Sequence, residues 1–133
     1  MTIKRTAVNP WEWSIEFGYN QGELIEGKTR ELVCAGQTAC DANGQPQHAG
    51  DMAGQIGLAL DNLEAVLAEA DMTLSNLVRL NIYTTDVDLL MEAFGTLAGR
   101  LGPAGVRPPG TLLGVARLAF PELMVELEAT AAD

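Results

Sequence analysis

The stretch Arg107-Pro-Pro-Gly-Thr-Leu-Leu-Gly-Val-Ala-Arg117, continued by Leu118-Ala-Phe-Pro-Glu-Leu-Met-Val-Glu126-Leu-Glu128-Ala129, decides the fold. It reads as two strands joined by a short turn at Phe120-Pro121. The second strand alternates: Val125, Leu127 and Ala129 fall on one face, Glu126 and Glu128 on the other. Two carboxylates on one strand face, in so apolar a run, are the strongest lead to chemistry in the chain. The same alternation is also the ordinary mark of a half-buried strand with a wet outer face. Both readings stand at this point.

Upstream, Ile3 to Val8 is a short strand, and Asn9-Pro10 breaks it. Trp11-Glu-Trp13 holds both tryptophans, whose large rings call for packing on a core, a subunit neighbour or a ligand. Glu23–Gly27 and Glu31–Thr38 fit a hairpin bent at Gly27-Lys-Thr-Arg30, with Leu32 to Ala35 apolar enough for burial on both faces. Asp41-Ala-Asn-Gly44 is a turn, and His48 lies in the polar loop behind it, read as exposed. Met52, Ile56, Leu60, Leu63 and Leu67 form one apolar stripe of a helix over about Asp51–Ala70, with Asp51 as its cap. Val78 to Thr84 is a strand. Val87, Leu90, Met91, Phe94, Leu97 and Leu101 repeat the stripe over Asp86–Leu101, and Gly102-Pro-Ala-Gly105 ends that second helix. The order is β-β-β-α-β-α-β-β, an α+β fold with a mixed sheet.

The chain of 133 residues makes one domain, 1–133, large enough for a single core. Its formal net charge is −10, and its eight Lys and Arg are scattered, so no basic patch favours nucleic acid. Cys34 and Cys40 lie six apart, with His48 as the single histidine; this spacing fits no zinc site, and both read as buried free thiols. No metal and no cofactor is indicated. No stretch approaches the roughly 18 uninterrupted apolar residues of a membrane span. The polar start lacks the pattern of a signal peptide, so the expected location is the cytoplasm. Two striped helices cover only one face of the sheet, and the other face needs a cover the chain does not supply. That argues for an oligomer packed sheet to sheet.

Several segments in register resemble the RidA (YjgF/UK114) family. Phe17-Gly-Tyr-Asn-Gln21 is similar to its Gly-Pro-Tyr-Ser-Gln, and Ala35-Gly-Gln37 to its Ser-Gly-Gln. Gln55 with Asn62-Leu63 resembles its helix motif, while Val115-Ala-Arg-Leu118 and Val125-Glu-Leu-Glu-Ala129 resemble its closing strands. The resemblance implies a chorismate-mutase-like fold, a homotrimeric barrel and small-molecule clefts between subunits. In active members it implies hydrolysis of enamine and imine intermediates such as 2-aminoacrylate. There an arginine pairs with the substrate carboxylate and a glutamate near the chain end handles water. Members have also been labelled endoribonucleases.

Matched position by position, Glu126 falls on that glutamate, Tyr19 on a cleft tyrosine and Gly36 on the cleft glycine, while Ala35 replaces the serine before it. The family's Arg-Ser-Cys becomes Gly110-Thr111-Leu112. Losing a guanidinium–carboxylate clamp costs on the order of 2–5 kcal/mol when the partner charge is left unpaired. The expectation is therefore a divergent member with Glu126 as acid/base or water-orienting group and Glu128 as its alternative. A neutral or cationic ligand suits such a site, against an apolar wall of Phe94, Leu112 and the Trp11/Trp13 pair. Arg107, across Pro108-Pro109, offers a substitute clamp that would restore imine deamination; Arg117 is read as a structural ion pair. A non-catalytic ligand-binding module is the third reading.

Overall fold

Helix α1 (Met52–Glu69) is the slab on which the sheet is laid. Asp51 caps it, accepting from the Gly54 N–H at 2.9 Å, and Met52, Ile56, Leu60, Leu63 and Leu67 are buried along one stripe. The computed structural model describes residues 3–133. Strands β1 (Lys4–Val8), β2 (Gly22–Glu26), β3 (Glu31–Val33), β4 (Leu77–Thr84), β5 (Leu112–Gly114) and β6 (Val125–Ala132) join α1 and two further helices, α2 (Val87–Glu92) and α3 (Phe94–Ala104). The main sheet has the order β3-β6-β4-β5: β6 runs antiparallel to β3 and β4, and β5 runs parallel to β4. Strands β1 and β2 form an antiparallel pair of their own.

The core lies between the helices and one sheet face. Leu80 and Ile82 of β4 and Val125, Leu127, Ala129 and Ala131 of β6 pack in one cluster with the α1 stripe and with Leu90, Leu97 and Leu101. A fully buried side chain of this size contributes roughly 1.5–3 kcal/mol. Among the described residues no helix covers the opposite sheet face, as the count of striped elements requires.

Four expectations change. The proposed hairpin of the second and third strands does not form, because β2 pairs with β1 and β3 with β6. The reason lies in the intended bend: the N–H groups of Thr29 and Arg30 donate to the Asp133 carbonyl at 2.8 and 3.1 Å, and the Arg30 guanidinium pairs with the Asp133 carboxylate. Residues 27–30 are thus tied to the end of β6 rather than folded back on β2. Nor is β3 buried on both faces, since Leu32 and Cys34 turn inward while Val33 is 74% exposed.

The closing strands are not a hairpin about Phe120-Pro121 either, because β4 lies between β5 and β6. In place of a strand partner, the connection is held by the buried amide of Gln55. Its Nε2 donates to the carbonyls of Glu122 (2.8 Å) and His48 (3.2 Å), and its Oε1 accepts from the Met124 N–H at 2.8 Å. Asn62, the other polar residue matched on α1, donates to the carbonyls of Thr38 and Cys40. The second helix divides at Ala93, whose N–H is shared among the carbonyls of Leu89, Leu90 and Met91. It resumes as α3, passes through Pro103 and ends at Gly105 with φ +74°.

Gln55→Ala should destabilise the protein by about 2–4 kcal/mol, because it strands the Glu122 carbonyl and the Met124 N–H, while the His48 carbonyl keeps the Asp51 N–H. Urea denaturation monitored by tryptophan fluorescence measures it; an unchanged midpoint would show that the amide is dispensable.

Candidate functional site

The pairing of β4 with β6 places Tyr83 opposite Glu126 and Asn81 opposite Glu128. With Leu80, Ile82, Val125, Leu127 and Ala129 turned into the core, these four polar residues stand on the outer face. Glu128 Oε1 accepts from Asn81 Nδ2 at 3.0 Å and from the Tyr83 hydroxyl at 2.8 Å. Asn81 Oδ1 in turn accepts from the Thr111 N–H at 3.1 Å. The hydrogen bonds from Asn81 and then Tyr83 hold the Glu128 carboxyl below its ordinary pKa. Donating to Glu128 raises the Tyr83 phenol above its own, helped by lost hydration and by the charges of Glu128 and Glu126. Glu128, the alternative acid/base of the sequence reading, is therefore held as an ionised acceptor. Asn81 and Tyr83 were missed; their signal was the alternation of β4 once its partner strand is known.

Glu126 meets a break in the neighbouring chain. The Cys34 N–H donates to the Ala129 carbonyl, and Gln37 exchanges both backbone bonds with Leu127. Between these bonds Ala35 and Gly36 on one side face Glu128 alone on the other, a bulge at Ala35-Gly36. It brings Gly36 so close that a Cβ there would lie 2.9 Å from Glu126 Cγ and closer to its carboxylate. Ala35, Gly36 and Glu126 form one cluster. A side chain at position 36 would have to push the Glu126 carboxylate aside.

A cavity of ≈ 800 Å³ opens on the helix side of the sheet. Leu80 and Ile82 form its floor, Met91, Phe94 and Leu97 one wall, and Trp13, Phe17 and Tyr19 another. Trp13 and Tyr19 meet edge to face, their ring centroids 6.1 Å apart. Arg107, Gly110, Thr111 and Leu112 complete the rim. The structure therefore unites Tyr19, Phe94, Arg107, Gly110, Thr111 and Leu112, while Ala35, Gly36 and Glu126 lie off the lining. Trp13 (55% exposed) belongs to the wall; Trp11 (62% exposed) does not, and neither ring is in the core.

Gly110 has a mechanical reason. The Leu80 N–H donates to the Pro109 carbonyl at 3.1 Å and the Ile82 N–H to the Thr111 carbonyl at 2.8 Å, drawing residue 110 down onto β4. A Cβ there would sit 2.6 Å from the Leu80 carbonyl carbon and nearer still to its oxygen. No side chain fits without moving a strand. Arg117 forms no ion pair among the described residues, contrary to expectation.

The family model described as Endoribonuclease L-PSP matches residues 14–133. The chain belongs to that family. It is 32% identical over 117 residues to the RutC family protein YjgH of Escherichia coli K12, covering 88% of each chain. Among solved structures it resembles YyfB of Yersinia pestis, described as a protein of unknown function of the conserved Rid family, with a TM-score of 0.87. Identity there is 32%, over 96% of this chain and 98% of that one. Rv2704 of Mycobacterium tuberculosis, a member of the YjgF/YER057c/UK114 family, matches at a TM-score of 0.68 and 31% identity over 98% and 100%. The RidA-family resemblance and its α+β fold are thus the chain's own.

Among the described residues no three His, Cys, Asp or Glu side chains gather to hold a metal ion, and no helix is long and apolar enough to cross a membrane. Cys34 is buried, which pushes its thiol pKa up; Cys40 is only half-buried, so the expected burial holds for one of the two thiols. His48 is exposed, as read.

Two measurements test this geometry. Gly110→Ala should cost about 1–3 kcal/mol through overpacking against Leu80, read as a lowered denaturation midpoint; an unchanged midpoint would refute the close approach. In an ultraviolet pH titration, the Tyr83 phenol should ionise above the ordinary tyrosine range. Glu128→Gln should move that step to lower pH, because the neutral amide no longer favours the protonated phenol; an unmoved step would deny the Tyr83–Glu128 bond.

Proposed function

We propose that the protein works as a homotrimer of single RidA-like domains, with small-molecule clefts between neighbouring subunits. One subunit gives the cavity wall of Tyr19, Phe94, Arg107, Gly110, Thr111 and Leu112; a neighbour gives Glu126, backed by Ala35 and Gly36. The observation that carries this reading is that Glu126 and the cavity lie on opposite faces of one sheet. Within one chain the sheet separates them. A second copy can bring a Glu126 to the cavity mouth, and its packing would also cover the helix-free face.

In this reading Glu126 orients or deprotonates a water, or moves a proton, beside a bound small metabolite. The site is that of a divergent member: Gly110 supplies no guanidinium, and the chain path excludes one at that position. Standard 2-aminoacrylate hydrolysis, which needs a carboxylate clamp, is disfavoured. One observation favours a second reading: Arg107 borders the cavity, so hydrolysis of an imine to a 2-keto acid and ammonia is retained as the alternative. The net charge of −10 makes RNA an unsuitable partner, whatever the family's description.

Light scattering coupled to size exclusion should give a mass about three times 14.1 kDa. A monomer at micromolar concentration would overturn the shared cleft. For the alternative, a coupled assay on freshly generated 2-aminoacrylate decides: turnover abolished by both Glu126→Gln and Arg107→Ala supports it, and absence of turnover removes it.

A further inference from the structure

The ion pair of Arg5 and Glu23 leaves one atom over. Glu23 Oε1 accepts from Arg5 Nε, and the Glu23 side chain is only 6% exposed. The rest of the Arg5 guanidinium is engaged elsewhere: Nη1 donates to the Ser75 carbonyl at 2.8 Å and Nη2 to the Leu77 carbonyl at 2.5 Å. Arg5 therefore does not close the two-pronged pairing that guanidinium and carboxylate usually make. The second oxygen, Glu23 Oε2, is buried and has no hydrogen-bond partner among the described residues. A charged acceptor left bare in the interior is costly, so a donor is called for there.

Glu23 borders a second cavity, of ≈ 330 Å³, between the β1–β2 pair and the end of α3. Ser14 Oγ and Gln21 Nε2, also buried and unpartnered, border neither this cavity nor the larger one. A water takes up about 30 Å³ of liquid, so the space also admits a small organic molecule. The groups that face it select by charge. Asn20 is buried, its Oδ1 accepts from Asn9 Nδ2 at 3.0 Å, and its own Nδ2 has no acceptor among the described residues. An anion would find donors in Asn20 and Arg107 but would be repelled by the bare Glu23 Oε2. A cation would be drawn to that oxygen, yet Arg5 already neutralises Glu23 and Arg107 adds a second positive charge on the lining. A neutral molecule with an N–H beside a carbonyl avoids both conflicts.

We infer that this smaller cavity is a second binding site, for a small neutral amide whose N–H donates to Glu23 Oε2 and whose carbonyl accepts from Asn20 Nδ2. The site lies outside the cleft of the proposed function and does not depend on it.

The test uses acetamide as probe. Acetone (a carbonyl without N–H), acetate (an anion of the same shape) and methylammonium (a cationic donor) are the comparisons. In proton–nitrogen correlation NMR of the full chain, acetamide should shift the Asn20 side-chain amide and the Arg5 Nε–H signals saturably. Its affinity should be about tenfold above that of any comparison probe. Glu23→Gln turns a donor toward the cavity in place of the bare oxygen and should remove the lead of acetamide over acetone. Ala7→Leu, at an exposed strand position on the lining, should fill the space and abolish the shifts while the rest of the spectrum is kept. That second variant leaves the Arg5–Glu23 pair intact, so it decides the matter even if Glu23→Gln fails to fold. The inference is overturned if a comparison probe binds as tightly as acetamide, or if Ala7→Leu leaves the shifts intact. It is overturned equally if acetamide never saturates, since water alone would then satisfy Glu23.

Discussion

The antiparallel register of β4 against β6 governs the rest of the structure. Side chains alternate along a strand, so a slip of one residue would exchange every inward group for an outward one. In the observed register Leu80 and Ile82 meet Ala129 and Leu127 in the core, while Asn81 and Tyr83 meet Glu128 and Glu126 outside. The apolar side of this pairing supplies the stability. The polar side supplies whatever chemistry the sheet can perform. One set of backbone bonds thus determines both, and the hydrogen bonds from Asn81 and Tyr83 to Glu128 reinforce the same register from the outer face.

Around this pair, the connections do the positioning. Across the helix break at Ala93, Met91, Phe94 and Leu97 line one wall of the cavity. The bulge at Ala35-Gly36 lets the chain pass Glu126 without a side chain in the way. Gln55 serves the connection before β6, satisfying backbone groups that have no strand partner. Such buried amides specify a chain path because every wrong path leaves them unpaired.

What could be read from the residues alone was whatever rests on short-range periodicity. The α1 stripe, the Asp51 cap, the Gly44 turn and the alternation about Glu126 and Glu128 are all properties of a few consecutive positions. Partner choice was not legible, because it depends on groups far apart in the chain. The Gly27–Arg30 bend looks like a hairpin until Asp133 captures it, and β5 looks like the neighbour of β6 until β4 comes between them. The separation of Glu126 from Tyr19 and Gly110 across the sheet was hidden for the same reason.

The pressure of residue 110 against the Leu80 carbonyl bears on the history open to this protein. An arginine there is one base change away from every glycine codon, yet its first methylene would have to displace a strand that the whole core stands on. A lineage wanting that guanidinium back would need the edge of the sheet to loosen first, and loosening it would weaken the floor of the very pocket to be served. The position behaves as a ratchet: once the backbone has settled onto its neighbour, new ligand preferences are reached more easily from other places on the rim than by reversal.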